Sequence, residues 1–258
     1  MIISMSFDTG KKHTTSWDNS GQWYNKLVGD SGHYYHQQVI LPRVTALLKL
    51  SADNRILDLG CGQGVLARHI PAAVYYTGVD LAKNLIAFAK QHDKNTKHEY
   101  LVADATRSLP LEKTYTHAVA ILSLQNMENQ EAAIAEVGKH IQQNGRFLFV
   151  LNHPCFRIPR QSGWGVSESK QQYRYINRYQ TPMKIPITMH PGAKQSAMTW
   201  SFHFPLASYA QFLSKNGFVI ETMEELVSDK ESAGKAAKME NRARAEIPLF
   251  LIIVAKKL

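Results

Sequence analysis

Ile56-Leu57-Asp58-Leu59-Gly60-Cys61-Gly62-Gln63-Gly64 decides how this chain folds. An apolar run ends in an acid and then in three alternating glycines, as a buried parallel strand does when it turns sharply toward a ligand. A second short strand, Tyr75-Tyr76-Thr77-Gly78-Val79, ends in Asp80, 20 positions after Gly60. An acid at that spacing, at the tip of the neighbouring strand, can hydrogen-bond a ribose diol. The pair predicts a nucleotide-type site with negative charge at both ends.

Two ligand classes share these features. A dinucleotide fingerprint needs G-x-G-x-x-G, but here the third glycine arrives one place early and Val65 follows it. Asp58 would also lie close to a pyrophosphate that a helix N-terminus must hold. S-adenosylmethionine (SAM) carries an ammonium and a sulfonium and no phosphate, so an aspartate beside the turn attracts it. The run Asp58-Leu59-Gly60-Cys61-Gly62-Gln63-Gly64 resembles the D/E-x-G-x-G-x-G motif of class I SAM-dependent methyltransferases, and Asp80 resembles their ribose-binding acid. Tyr100-Leu101-Val102-Ala103-Asp104-Ala105 is similar to the family's third strand with its adenine-binding aspartate. His117–Asn126 resembles the fourth strand and its loop, and Gly145–Leu151 the fifth. The likeness covers residues 55–151, in the style of small-molecule, ubiquinone-biosynthesis-like enzymes.

That resemblance implies an α/β, Rossmann-like fold: a seven-stranded, mostly parallel sheet with helices on both faces and the last strand antiparallel. It implies SAM as cofactor and S-adenosylhomocysteine as product. The cofactor would be held by Asp58, Gly60, Cys61, Gly62, Gly64, Asp80, Leu81, Asp104, Ala105 and Leu122. Outside residues 55–151, Leu206–Asn216 has helical spacing and stops at Gly217, while Phe218-Val219-Ile220 and Leu249–Ala255 read as closing strands. Strands near 55–59, 75–79, 99–103, 117–122 and 145–151 alternate with helical stretches at 64–70, 82–92 and 129–142. This alternation predicts a parallel sheet whose ligand binds at the carboxyl ends of the strands.

The chain of 258 residues, 44% hydrophobic, is read as one methyltransferase domain over 1–258, with ample material for a core. Residues 17–50 are expected to form an N-terminal helical cap behind a flexible polar start, broken at Gly29-Asp30-Ser31-Gly32. Residues 152–205 are expected to form an inserted lid after the fifth strand, with a hairpin from Tyr173–Ile176 and Ile185–Met189. Ser228–Glu246 reads as a charged helix or loop over the sheet edge. No apolar stretch approaches the roughly 20 residues of a membrane span, and the start lacks a secretory h-region. Two cysteines, Cys61 and Cys155, give no disulfide framework, which favours a reduced, cytoplasmic setting.

The net charge is +9. The lid concentrates it: Arg157, Arg160, Lys170, Arg174, Arg178, Lys184 and Lys194 face a single acid, Glu168, among Trp164, Tyr173 and Tyr175. Such a surface can line a pocket for a small anionic or aromatic acceptor, stack on nucleic-acid bases, or form a solvated face. Substrate contacts are expected from Asn126, Arg157, Trp164 and Tyr173. His153, directly after the fifth strand, is the expected catalytic base, needed only if the acceptor loses a proton as it attacks. No histidine spacing suggests a metal. The first reading is methyl transfer by in-line displacement to a small-molecule acceptor. RNA or another macromolecule as acceptor, and a non-catalytic SAM sensor, stand as alternatives.

Overall fold

The computed structural model describes residues 33–112, 114–188 and 198–258. The expected break at 29–32, the first half of the cap and Met189 lie outside them. Five strands alternate with helical segments in the first part of the chain: β1 (Arg55–Leu59), β2 (Tyr75–Asp80), β3 (His98–Val102), β4 (Tyr115–Ile121) and β5 (Ile141–Asn152). The helices are α1 (Leu41–Leu48), α2 (Lys83–His92) and α3 (Gln130–His140). After β5 come four short strands, β6 (Ser162–Val166), β7 (Gln172–Ile176), β8 (Met183–Thr188) and β9 (Met198–His203). Helix α4 (Leu206–Lys215), strand β10 (Phe218–Leu226), helix α5 (Ala237–Glu246) and strand β11 (Phe250–Lys257) complete the chain.

Seven strands form one sheet in the order β10-β11-β5-β4-β1-β2-β3. Strands β1 to β5 pair in parallel, and β11 runs antiparallel between β5 and β10. The order reverses between β1 and β4, and a crevice opens there because their connections leave in opposite directions. Both faces of the sheet's centre are covered, so β1, β4, β5 and β11 carry near-continuous buried apolar runs, while the edge strand β10 alternates with polar residues. Along β5, Phe147, Phe149 and Leu151 pack on one side with Tyr209 and Leu213 of α4 and Ile134 and Val137 of α3. Leu148 and Val150 pack on the other, with Val44 and Leu48 of α1 and Ile86 of α2.

Several boundaries differ from the sequence reading. Helix 64–70 shrinks to one 3-10 turn, Leu66–His69. Strand β5 starts four residues before Gly145, and its pairing with β4 is irregular there. The described part of the cap carries a π-helical turn, His36–Ile40, that runs into α1. Beyond β5 the described residues form two hairpins, where the sequence reading expects one. Tyr173–Ile176 pairs with Gly163 and its neighbours in β6, and Ile185 with Ser201 in β9.

Candidate functional site

The carboxyl ends of β1, β2, β3, β4 and β5 converge on one cavity of about 590 Å³, within the usual range for small-ligand sites. One half is walled by Gly60 and Gly62 after β1, Asp80 and Leu81 at β2, and Asp104 and Ala105 after β3. The other half is built by Leu122, Ser123, Gln125 and Asn126 after β4, by Asn152 of β5, and by Ile187 and Ser201 of the second hairpin. His36 of the cap reaches this cavity and also a recess of about 40 Å³ lined by Asp58, Gly60, Cys61 and Gly62.

The glycine turn is fixed from both sides. Gly60, Gly62 and Gly64 all have positive φ, a region that costs any other residue strain. The Asp80 carboxylate accepts the Gly62 N–H at 2.8 Å through one oxygen and the Ala82 N–H at 2.8 Å through the other. A Cβ on Gly60 would lie 2.4 Å from the Ser123 Cβ, and Ser123 is itself tied down by donating to the Leu59 carbonyl. Leu122, the residue before it, holds φ +53, backbone strain of the kind that gathers at functional sites.

Asp58 lies behind this turn, 3% exposed. Tyr76 donates its hydroxyl to Asp58 Oδ2 at 2.6 Å. Burial raises the carboxyl pKa to about 7, the tyrosine opposing and Asp80 adding to the rise. The Cys61 thiol is also pushed well up, by burial and then by Asp58 and Asp80, so it is a neutral packing group and not a nucleophile. Asp104 Oδ1 accepts from the Thr106 backbone and hydroxyl at 2.9 and 2.7 Å, and its other oxygen faces exposed Arg107 at 3.3 Å. Three acids thus accompany three neighbouring strands around one glycine turn.

The half of the cavity built after β4 and β5 presents carboxamides held in set orientations. Gln125 accepts the Asn152 N–H through Oε1 at 3.2 Å, Asn126 donates to the Leu122 carbonyl at 3.2 Å, and Asn129 caps α3 by accepting the Ala132 N–H at 3.0 Å.

The Methyltransferase domain family matches residues 57–149. Among solved structures, an S-adenosylmethionine dependent methyltransferase from Mesorhizobium loti is 25% identical and aligns over 84% of this chain and 96% of its own, with a TM-score of 0.65. Residues 57–149 carry the methyltransferase domain of a class I SAM-dependent enzyme. A ubiquinone biosynthesis O-methyltransferase from Photobacterium profundum is 30% identical over 100 residues, 37% of this chain. The chain spans less than half of that relative, 43% of its length. An uncharacterized protein of Haemophilus influenzae is 26% identical over 222 residues, 81% of this chain and 84% of its own.

This methyltransferase domain gathers Gly60, Gly62, Asp80, Leu81, Asp104, Ala105, Leu122 and Asn126 along the main cavity, and Asp58 and Cys61 along the recess. Gly64 stands apart: a Cβ there would meet the Tyr100 hydroxyl at 2.7 Å, so its smallness serves packing of the turn onto β3. His153, Arg157, Trp164 and Tyr173 do not line the cavity. His153 is 1% exposed, and both ring nitrogens are engaged. Its Nε2 donates to Glu225 at 2.7 Å while Nδ1 accepts the Cys155 N–H at 3.2 Å. Burial lowers its pKa, partly offset by Glu225, so the ring is a neutral tether between the segment after β5 and β10. Replacing His153 by alanine is expected to cost about 2–3 kcal/mol of stability through the lost packing and hydrogen bonds. Thermal melts would show it, and unchanged stability with reduced turnover would return His153 to the chemistry.

Trp164 stacks under the Arg174 guanidinium at 5.1 Å, and Tyr173 covers Gly165 across the first hairpin. Ser123, Gln125, Asn152, Ile187, Ser201 and His36 are cavity residues that sequence reasoning missed.

Proposed function

We propose that this protein binds SAM in the cavity at the strand ends and transfers its methyl group, by in-line displacement, to a small-molecule acceptor. The grouping of Asp58, Asp80 and Asp104 around the glycine turn carries this reading. It is an acid-lined site that attracts a cationic nucleoside and disfavours one bearing a pyrophosphate. The residues fit the cofactor: Asp80 for the ribose diol, Asp104 and Ala105 for the adenine, and Asp58 with the positive-φ glycines for the aminocarboxypropyl end. His36 fits there too, since its Nδ1 is shut off from solvent and has no partner among the described residues, a costly state for a polar atom that no ligand meets.

SAM supplies an activated methyl group whose departure leaves a neutral thioether. The chain's task is therefore alignment and exclusion of water. Leu122, Ile187 and Met127 provide apolar walls, while Gln125, Asn126 and Asn152 offer hydrogen bonds to position the acceptor. The carboxylate on this side, Glu128, is exposed and paired with Lys184 at 3.2 Å. That arrangement suits an acceptor that is already nucleophilic or that loses its proton to water.

The test is calorimetric titration with SAM, S-adenosylhomocysteine and NAD between pH 5.5 and 7.5. Both adenosyl ligands are expected to bind and NAD is not; NAD binding alone would reverse the reading. In the free protein Asp58 is protonated below about pH 7, and a cationic ligand needs its carboxylate. Binding below that pH therefore expels a proton, so affinity should rise up to about tenfold per pH unit and level off near neutrality. Asp58→Asn should flatten the profile.

A further inference from the structure

Arg157 lies in the turn after β5, half-buried, with its guanidinium stacked on the Phe250 ring at 5.4 Å. Among the described residues, no carboxylate pairs with this guanidinium and no acceptor takes a hydrogen bond from it. Its neighbour makes matters worse. Arg174 of β7 donates to the Phe156 carbonyl at 2.7 Å and to the Ser162 hydroxyl at 2.8 Å, both neutral groups. Among the described residues neither guanidinium has a carboxylate partner, and the charge on Arg174 acts on Arg157. Burial first, and then the charge on Arg174, lower the Arg157 pKa.

A third cation closes the group. Lys230 sits over the rings of Tyr34 and Tyr35, at 4.4 and 5.1 Å. Tyr35 packs edge-on against Phe250 and shares a hydrogen bond with Ser228 at 3.1 Å. Two carboxylates on these segments keep their charge but face other groups: Asp229 accepts from Tyr34 at 3.0 Å and Glu225 from His153 at 2.7 Å, and neither forms an ion pair with Arg157 or Arg174. A cation drawn partly out of water beside a like charge is costly unless an anion joins it.

The cluster sits beside the cavity. Phe250 pairs across the sheet with Asn152, and Tyr35 precedes His36; Asn152 and His36 both line the cavity. We propose that Arg157, supported by Arg174, forms an oxyanion site at the rim of the cavity for a carboxylate or phosphate group carried by the methyl acceptor. Arginine's fork suits such a group through two parallel hydrogen bonds. The acceptor is then bipartite, with an uncharged end among the carboxamides and an anionic handle outside. That the anion belongs to the acceptor rests on the methyltransferase reading; the oxyanion site itself does not.

The experiment titrates the full chain with inorganic phosphate at constant ionic strength, balanced with chloride, by calorimetry and thermal melting. Saturable binding is expected for the wild-type protein and for Arg178→Gln, which removes an exposed charge elsewhere on the segment. Arg157→Gln should weaken it at least about tenfold, and Arg157→Lys, which keeps the charge but loses the fork, should weaken it less. Equal behaviour in phosphate and chloride, or an Arg157→Gln response like wild type, would overturn the site. Should Arg157→Gln fail to fold, Arg174→Gln decides: weaker phosphate binding supports the site and unchanged binding overturns it. S-adenosylhomocysteine titrations on the same samples keep the two ideas apart, because failure to bind it would sink the methyltransferase reading and leave the phosphate result standing.

Discussion

Replacing Asp80 with alanine is expected to weaken S-adenosylhomocysteine binding by at least about a hundredfold. Two losses combine. The carboxylate proposed for the ribose diol disappears, and hydrogen bonds to a charged group are each worth about 1.5–3 kcal/mol. The same carboxylate accepts the Gly62 and Ala82 N–H groups, so the glycine turn also loses one of its anchors to β2, keeping those from Gly60 and Cys61 to the Val79 carbonyl. Asp80→Asn separates the effects, since an amide oxygen can still accept one N–H while the charge is gone. It should bind more weakly than wild type and better than the alanine variant. Calorimetry with the thermal melt recorded in parallel makes the comparison. If Asp80→Ala binds like wild type, the ribose lies elsewhere.

The second large effect is expected at Gly60. Its φ of +69 alone costs a side chain about 1–2 kcal/mol. The larger penalty is overlap: the added Cβ would lie 2.4 Å from the Ser123 Cβ, and Ser123 cannot retreat without releasing the Leu59 carbonyl it binds. Gly60→Ala should therefore lower the melting temperature by several degrees and abolish adenosyl-ligand binding, because the loop after β4 that walls the acceptor half must move. Gly234→Ala is the control. It has φ +86 with nothing within 4 Å of the added carbon, so it bears only the backbone cost and should bind normally. Similar losses in the two variants would mean that φ, and not crowding against Ser123, governs the turn.

The cofactor half is legible in the sequence because its signals are local. A buried parallel strand is an unbroken apolar run, and the acids and glycines follow it directly, as at Asp58 to Gly64 and at Asp80. The other half of the cavity and the segment after β5 are not, because their residues are brought together by pairing. In β6, Gly163 and Gly165 leave room for the rings of Tyr175 and Tyr173, so Ser162–Val166 carries no hydrophobic alternation to announce a strand. Without that partner in view, the neighbour of Tyr173–Ile176 is not readable. His153 illustrates a different limit. Its position after β5 suggests chemistry, yet Asn152 is the residue that meets the cavity, and successive side chains on an extended chain point to opposite sides. His36 escapes notice because the π-helical turn at His36–Ile40 shifts the register that a 3.6-residue period assumes.

The second hairpin places Ile187 and Ser201 against the cavity while leaving the glycine turn to the sheet. Its attachment there includes Gln130 donating to the Phe202 carbonyl at 3.1 Å. Under the proposed function, donor capture rests on the glycine turn, and acceptor choice on the loop after β4 and on this hairpin. Exchanging β8 and β9 is then expected to change which acceptor is methylated while S-adenosylhomocysteine binding stays as it is.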